Sequence, residues 1–147
     1  MADEIRVLSV SGMLGSGYLE SSLKKAMSWN PDFIGCDAGS TDGGAASLGE
    51  GKSLFSKAAV KRDLRLALMA ARSKRIPFLV GSAGMAGADP NLAWTVDIVK
   101  EIAREESLHF TMAIIHAEQS KEYLKEKVKD GKIRPLKPAP PYNAAVI

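Results

Sequence analysis

The chain has 147 residues, 46% of them hydrophobic and 25% charged, which is enough apolar material for one core and leads to an expectation of one main domain. With 20 Lys and Arg against 17 Asp and Glu, spread along the chain, and only 6% aromatic residues, neither the charge nor the stacking surface for nucleic-acid binding is present. The single cysteine, Cys36, excludes an internal disulfide and the common zinc patterns, and no apolar stretch has the form of a signal peptide or the length of a membrane span, so a cytoplasmic protein is expected.

In chain order, Ile5 to Val10 is short, rich in β-branched residues and stops at Gly12, as a buried strand feeding a glycine loop would. Tyr18 to Trp29 places Leu19, Leu23, Ala26 and Met27 at helical spacing before Asn30-Pro31 ends the helix. Asp32 to Asp37 reads as a second strand, followed by a long polar, glycine-laden loop from Ala38 to Ser53. Ser56 is the expected N-cap of a helix whose apolar stripe is Val60, Leu64, Leu68 and Ala71. The basic side chains Lys57, Lys61, Arg62, Arg65 and Arg72 would then form a solvated face. Pro77 to Val80 is the third strand, and Asp89 and Pro90 supply the N-cap and first turn of a helix to about Glu105. His109 to Ile115 is the fourth strand, and Ser120 to Asp130 a last charged helix closed by Gly131.

Strict alternation of strand and helix predicts a doubly wound parallel sheet, Rossmann-like or flavodoxin-like, with about four strands and helices on both faces. Residues 1–131 would form this α/β domain, and 132–147, with four prolines, an extended tail or linker.

The C-terminal edge of such a sheet is where ligands bind. Three glycine-rich loops follow the first three strands there: Gly12 to Gly17, Gly35 to Gly44 and Gly81 to Gly87. Glycine allows close backbone approach, and the helix that follows offers free N–H groups, so a small anion is the expected ligand. The first loop, Gly12-x-x-Gly15-x-Gly17, is not the dinucleotide fingerprint and carries no phosphate-loop Lys. Gly12, Gly15, Ser16, Gly17, Gly39, Ser40, Thr41, Gly81, Ser82 and Gly84 are the candidate ligand-binding residues.

The second loop sets Asp37, Ser40, Thr41 and Asp42 among four glycines. Its carboxylates are suited to acid–base chemistry or to Mg²⁺, although the same side chains can simply hydrogen-bond their own turns. His116, at the C-terminal end of the fourth strand, is the third candidate catalytic residue beside Asp37 and Asp42, with a structural histidine as the alternative. His109 would lie on the opposite edge, and Trp29 and Trp94 read as packing residues.

The run Ser11-Gly12-x-x-Gly15, the stretch Asp32-Phe33-Ile34-Gly35-Cys36-Asp37-Ala38-Gly39-Ser40-Thr41-Asp42 and the loop Gly81-Ser82-Ala83-Gly84 together resemble the N-terminal part of the acyclic terpene utilisation (AtuA-like) family, over roughly residues 4 to 143. The resemblance implies a role in catabolism of branched acyclic terpenoids and related acids. Members of that family are longer, so it also implies a fragment, or a split subunit that is completed by a partner or by other copies. Where many relatives follow Ser-Thr-Asp with Pro-Gly-Pro-Tyr-Tyr, this chain has Gly43-Gly44-Ala45-Ala46-Ser47, which points to a different substrate. The expected activity is that of a lyase, hydratase or isomerase on a small carboxylate or acyl thioester. The alternative is a noncatalytic ligand-binding or assembly module that needs a partner subunit.

Overall fold

The structure is a computed structural model and describes residues 4–39 and 44–135. Two compact units divide the chain between His116 and Ala117. The first holds β1 (Val7–Ser9), α1 (Glu20–Met27), β2 (Phe33–Asp37), α2 (Gly44–Glu50), α3 (Lys57–Lys74), β3 (Phe78–Gly81) and α4 (Asp89–Glu105). The second holds α5 (Lys121–Lys129), whose N-cap Ser120 accepts a hydrogen bond from the Tyr123 amide and in which no residue is buried. No helix among the described residues is long and apolar enough to cross a membrane.

The fold of the first unit is α/β with a parallel sheet, in the order β1-β2-β3. Val7, Leu8 and Ser9 pair with Phe33, Ile34 and Gly35, and Ile34 to Asp37 pair with Phe78 to Gly81. Side chains alternate across a strand, so Leu8, Val10, Ile34, Cys36, Phe78 and Val80 share one face. That face meets the apolar stripes of α1, α3 and α4: Leu23, Met27 and Ala71 close over Ile34, while Leu64, Ile98 and Ile102 pack with Cys36. Ile34, Leu64, Ile98 and Ile102 are fully buried.

The opposite face is open. Val7 is 60% and Leu79 54% exposed there, and among the described residues no helix of this unit packs on it. The expected doubly wound arrangement is thus replaced by helices on a single face. The cause is the strand order: crossovers that all advance in one direction with one hand place each helix on the same side. Two faces would be covered only if the winding reversed.

The fourth strand does not form among the described residues. From Leu108 to Met112 the chain alternates between half-buried and exposed positions as a strand does, and Leu108 and Phe110 pack on the core, but no ladder joins this segment to β3. Alternation reports one-sided burial, which packing against helices satisfies without strand pairing. Gly44–Glu50, expected as loop, is helical.

The basic side chains of α3, expected to be solvated, are largely paired. Lys57 and Lys61 reach Glu101 at 2.7 and 2.5 Å, Lys61 reaches Glu105 at 2.6 Å, and Arg65 engages Glu105 and Glu106, so the charges join α3 to α4. Arg72 lies over the Phe110 ring. Lys57 and Lys61 together hold the Glu101 carboxyl at about 2, below the usual carboxylate range.

One-sided burial predicts unequal costs on the two faces of the sheet. In urea unfolding, Ile34→Ala is expected to cost about 2–5 kcal/mol, as large-to-small changes in a packed core do. Leu79→Thr on the open face is expected to change stability by less than about 0.5 kcal/mol. Similar costs for both would show that the second face is covered.

Candidate functional site

All three glycine loops meet at the C-terminal edge of the sheet. The Leu14 amide donates to the Asp37 carbonyl at 3.0 Å, which ties the first loop to the second, and the Ala38 amide donates to the Gly81 carbonyl at 2.9 Å, which ties the second to the third. Gly39 is pressed against the third loop, where a Cβ would lie 2.5 Å from the Ser82 Cβ and 2.9 Å from the Met85 carbonyl oxygen. Gly84 adopts φ +66°, and a Cβ there would stand 2.4 Å from the Asn91 carbonyl oxygen. Both positions need glycine, because Ser82 and the Met85 carbonyl at one and the Asn91 backbone at the other occupy the space of a side chain. Ser82 and Met85 also hold positive φ, at 48° and 94°, a cost of order 1–3 kcal/mol each that the surrounding packing must offset.

Most of the loop amides are already engaged by the protein itself. Gly15 and Gly17 each donate at 2.9 Å to Oδ2 of Asp63, a carboxylate of α3 that is 0% exposed. Arg62 Nη1 reaches Asp63 Oδ1 at 2.8 Å, and the Tyr18 hydroxyl donates to the Asp63 carbonyl at 2.6 Å. Burial first, and then the negative charge of Asp63, raise the Tyr18 phenol well above its ordinary pKa, so it remains a donor. An internal anion thus takes two of the N–H groups that the sequence offers to a ligand. Ser16 Oγ donates to the Met13 carbonyl, and the Met85 and Gly87 amides donate to Ser82 and Ala83 within their own loop. Gly12 and Ser82 are exposed, whereas Gly39 and Gly84 are buried.

Asp37 Oδ1 accepts the Gly39 amide at 2.8 Å, so this carboxylate is oriented by its own turn. Ser40, Thr41 and Asp42 lie outside the described residues. Cys36, between these loops and the core, donates to the Leu79 carbonyl, and its thiol is pushed up to about 12, first by burial and then by Asp37 and Asp63. It is neither an accessible nucleophile nor a metal ligand. Among the described residues, no three His, Cys, Asp or Glu side chains converge on a site for a metal ion.

His116 stands at this same edge, although the strand expected to carry it is absent. Its Nδ1 is 2.8 Å from Asp89 Oδ1, and both side chains are substantially exposed. Asp89 was expected to be the N-cap of α4, but Ala88 has the extended cap backbone and Asp89 is the first helical residue. A carboxylate on Nδ1 favours the tautomer with Nδ1–H, which leaves Nε2 as the proton acceptor. The two residues are 27 apart in sequence, and only a spacing of strand, helix and return that brings the chain back to the same edge could have indicated the pair.

Beside Asp89, a cavity of about 400 Å³ opens between the turn that joins α2 to α3 and the first turns of α4. Lys52, Ser53, Phe55, Lys57, Asn91 and Trp94 are among its walls. A smaller hollow of about 300 Å³ lies further along α4, under Leu108 to Met112, and includes His109. Trp94 is half-buried in the packing of α4, while Trp29 is 63% exposed. No protein-family model, curated protein or solved structure matches the chain.

Removing the internal anion should unfasten the first loop. Asp63→Ala leaves the amides of Gly15 and Gly17 unpaired and is expected to cost about 3–5 kcal/mol, the range for breaking a buried charged pair. Hydrogen exchange would report it, with protection lost at Gly15 and Gly17 first. Wild-type protection at those amides in the variant would show that Asp63 does not hold them. For Cys36, a raised thiol pKa disfavours the thiolate, so Ellman's reagent at pH 8 should react only after unfolding. Prompt labelling of the native protein would contradict its burial.

Proposed function

We propose that this chain is the acid–base domain of a catabolic enzyme acting on a small branched carboxylate or acyl thioester, of the lyase, hydratase or isomerase kind, and related to the AtuA-like family. The observation that carries the proposal is the His116–Asp89 pair at 2.8 Å on the edge where the three glycine loops meet. His116 Nε2 would take a proton from the carbon next to the acyl group and return it, while Asp89 fixes the tautomer and stabilises the imidazolium that forms. Asp37 supplies a second carboxylate at the same edge. The resemblance of the run from Asp32 to Asp42 supports the substrate class, and the lone, buried, protonated Cys36 accords with work in the reducing cytoplasm.

A second proposal, a binding or assembly module that acts only with a partner subunit or with other copies of itself, is favoured by the uncovered face of the sheet, since parallel sheets are ordinarily covered on both sides. The two differ in what the isolated chain does. A catalytic domain exchanges substrate protons with solvent, and a binding module does not.

Proton NMR in D₂O with a short branched acyl thioester, the N-acetylcysteamine ester of isovalerate, tests this directly. Deuterium is expected to enter the carbon next to the carbonyl, and His116→Gln to slow the exchange by about 100-fold or more, the usual contribution of a positioned base. Asp89→Asn should slow it less, because the base remains. Exchange at an undiminished rate in His116→Gln would remove His116 from the chemistry, and no exchange by the wild-type chain would favour the binding module.

A further inference from the structure

We infer that the open face of the sheet is an interface between copies of this chain: α5 of a second copy docks on it, while the sheet of that copy receives α5 of the first. This names the partner of the assembly module and rests on that proposal, not on the chemistry of His116.

The face has the chemistry of a covered surface. Val7 and Phe33 are neighbours in the ladder, as are Gly35 and Leu79, and the Phe33 ring leans over Gly35, where a Cβ would lie 3.8 Å from its Cε2. Val7, Phe33 and Leu79 thus form one apolar band across all three strands. The one charged side chain that strand alternation puts on this face, Asp37, stands at its C-terminal margin. A parallel sheet is ordinarily covered on both sides, and a face left in water carries polar side chains instead. Size selects the occupant. Three strands about 4.8 Å apart, the longest of five residues, offer a patch of about 10 by 16 Å. That is the footprint of one short helix, and α5, with nine residues, is about 14 Å long and about 10 Å across.

α5 lacks a partner in the same way. Tyr123, Leu124, Lys127 and Val128 lie on one side of it, and Lys121, Glu122, Lys125, Glu126 and Lys129 on the other. The Lys127 ammonium stands 5.1 Å from the centre of the Tyr123 ring and 3.2 Å from Glu126, so its charge is shared within the helix. A helix this short is marginal in water and takes most of its stability from packing an amphipathic face, yet no residue of α5 is buried. A two-fold pair that exchanges α5 covers both sheets and both helices at once, and exchange of an identical element is a low-cost route to a dimer. The two contacts are small, which places the dissociation constant at about 10–100 μM. Unfolding at about 1 μM therefore reads the monomer, in which Leu79 remains cheap to replace.

Sedimentation velocity of the full chain from about 1 to 500 μM tests the inference, with a monomer-to-dimer transition expected. Leu79→Lys and Leu124→Lys, each with native circular dichroism, should weaken the dimer about tenfold or more by setting an unpaired charge in the contact, and Val128→Lys should act as Leu124→Lys does. Mixing the Leu79→Lys and Leu124→Lys chains should restore part of the association. The mixed pair keeps one intact contact, the helix of the first chain on the sheet of the second, whereas each variant alone keeps none. A chain that stays monomeric throughout, or no recovery on mixing, would overturn the inference. A dimer unaffected by Leu124→Lys would overturn it too, while leaving assembly through another surface standing. Thioester proton exchange by a chain that never dimerises would leave the role of His116 standing while this interface falls, and dimerisation without exchange would do the reverse.

Discussion

A carboxylate with no exposed surface can persist only if its charge is matched by donors, and Asp63 is matched by the backbone of the first glycine loop and by Arg62. Much of the molecule depends on that arrangement. It fixes the loop after β1 against α3, which lets Leu14 enter the core and its amide reach the Asp37 carbonyl. The second loop is thereby positioned, and through the Ala38 amide and the packing of Gly39 so is the third. The glycines that a sequence reader assigns to an external anion serve here, at Gly15 and Gly17, an anion belonging to the chain.

Winding direction is the second constraint. Advancing from β1 to β2 to β3 without reversal leaves the sheet with a helical layer on one side and apolar side chains such as Val7 and Leu79 exposed on the other. It also removes the switch point at which doubly wound sheets usually bind ligands. What remains at the C-terminal edge is the space between neighbouring crossovers, and the cavity walled by Phe55 and Trp94 lies in the space between the crossovers to α3 and α4.

Local chemistry made part of the fold legible. Ser56 caps the helix it was expected to cap, Pro90 lies in the first turn of α4, and the three strands overlap the apolar runs that announce them. Each of these is decided within a few residues. Gly44–Glu50 was not legible as helix, because glycine-rich sequence has low helix propensity and tertiary context overrides it. The segment from His109 to Ile115 has the pattern of a strand, but pairing needs a neighbour whose register no local pattern supplies. Of the candidate site, the placement was legible, with His116 and Asp37 both at the expected edge. Its partnerships were not, since Asp63 lies 46 and 48 residues from the glycines it holds, and Asp89 lies 27 from His116.

α4 links stability to the candidate chemistry. Its second half is fixed by Ile98 and Ile102 in the core and by the ion pairs of Glu101 and Glu105 with α3. A 17-residue helix is a rod of about 25 Å at 1.5 Å per residue, so anchoring one end sets the position of the other. That other end carries Asp89 and Asn91, one turned to His116 and one in the wall of the cavity. A ligand at this edge would meet side chains placed by a rigid element, because the amides of Gly15 and Gly17 are spent on Asp63. Asn91 at the same end ties α4 to the third loop, since its Nδ2 donates to the Gly84 carbonyl at 2.8 Å, so the rod that places Asp89 also holds the glycine loop beside it.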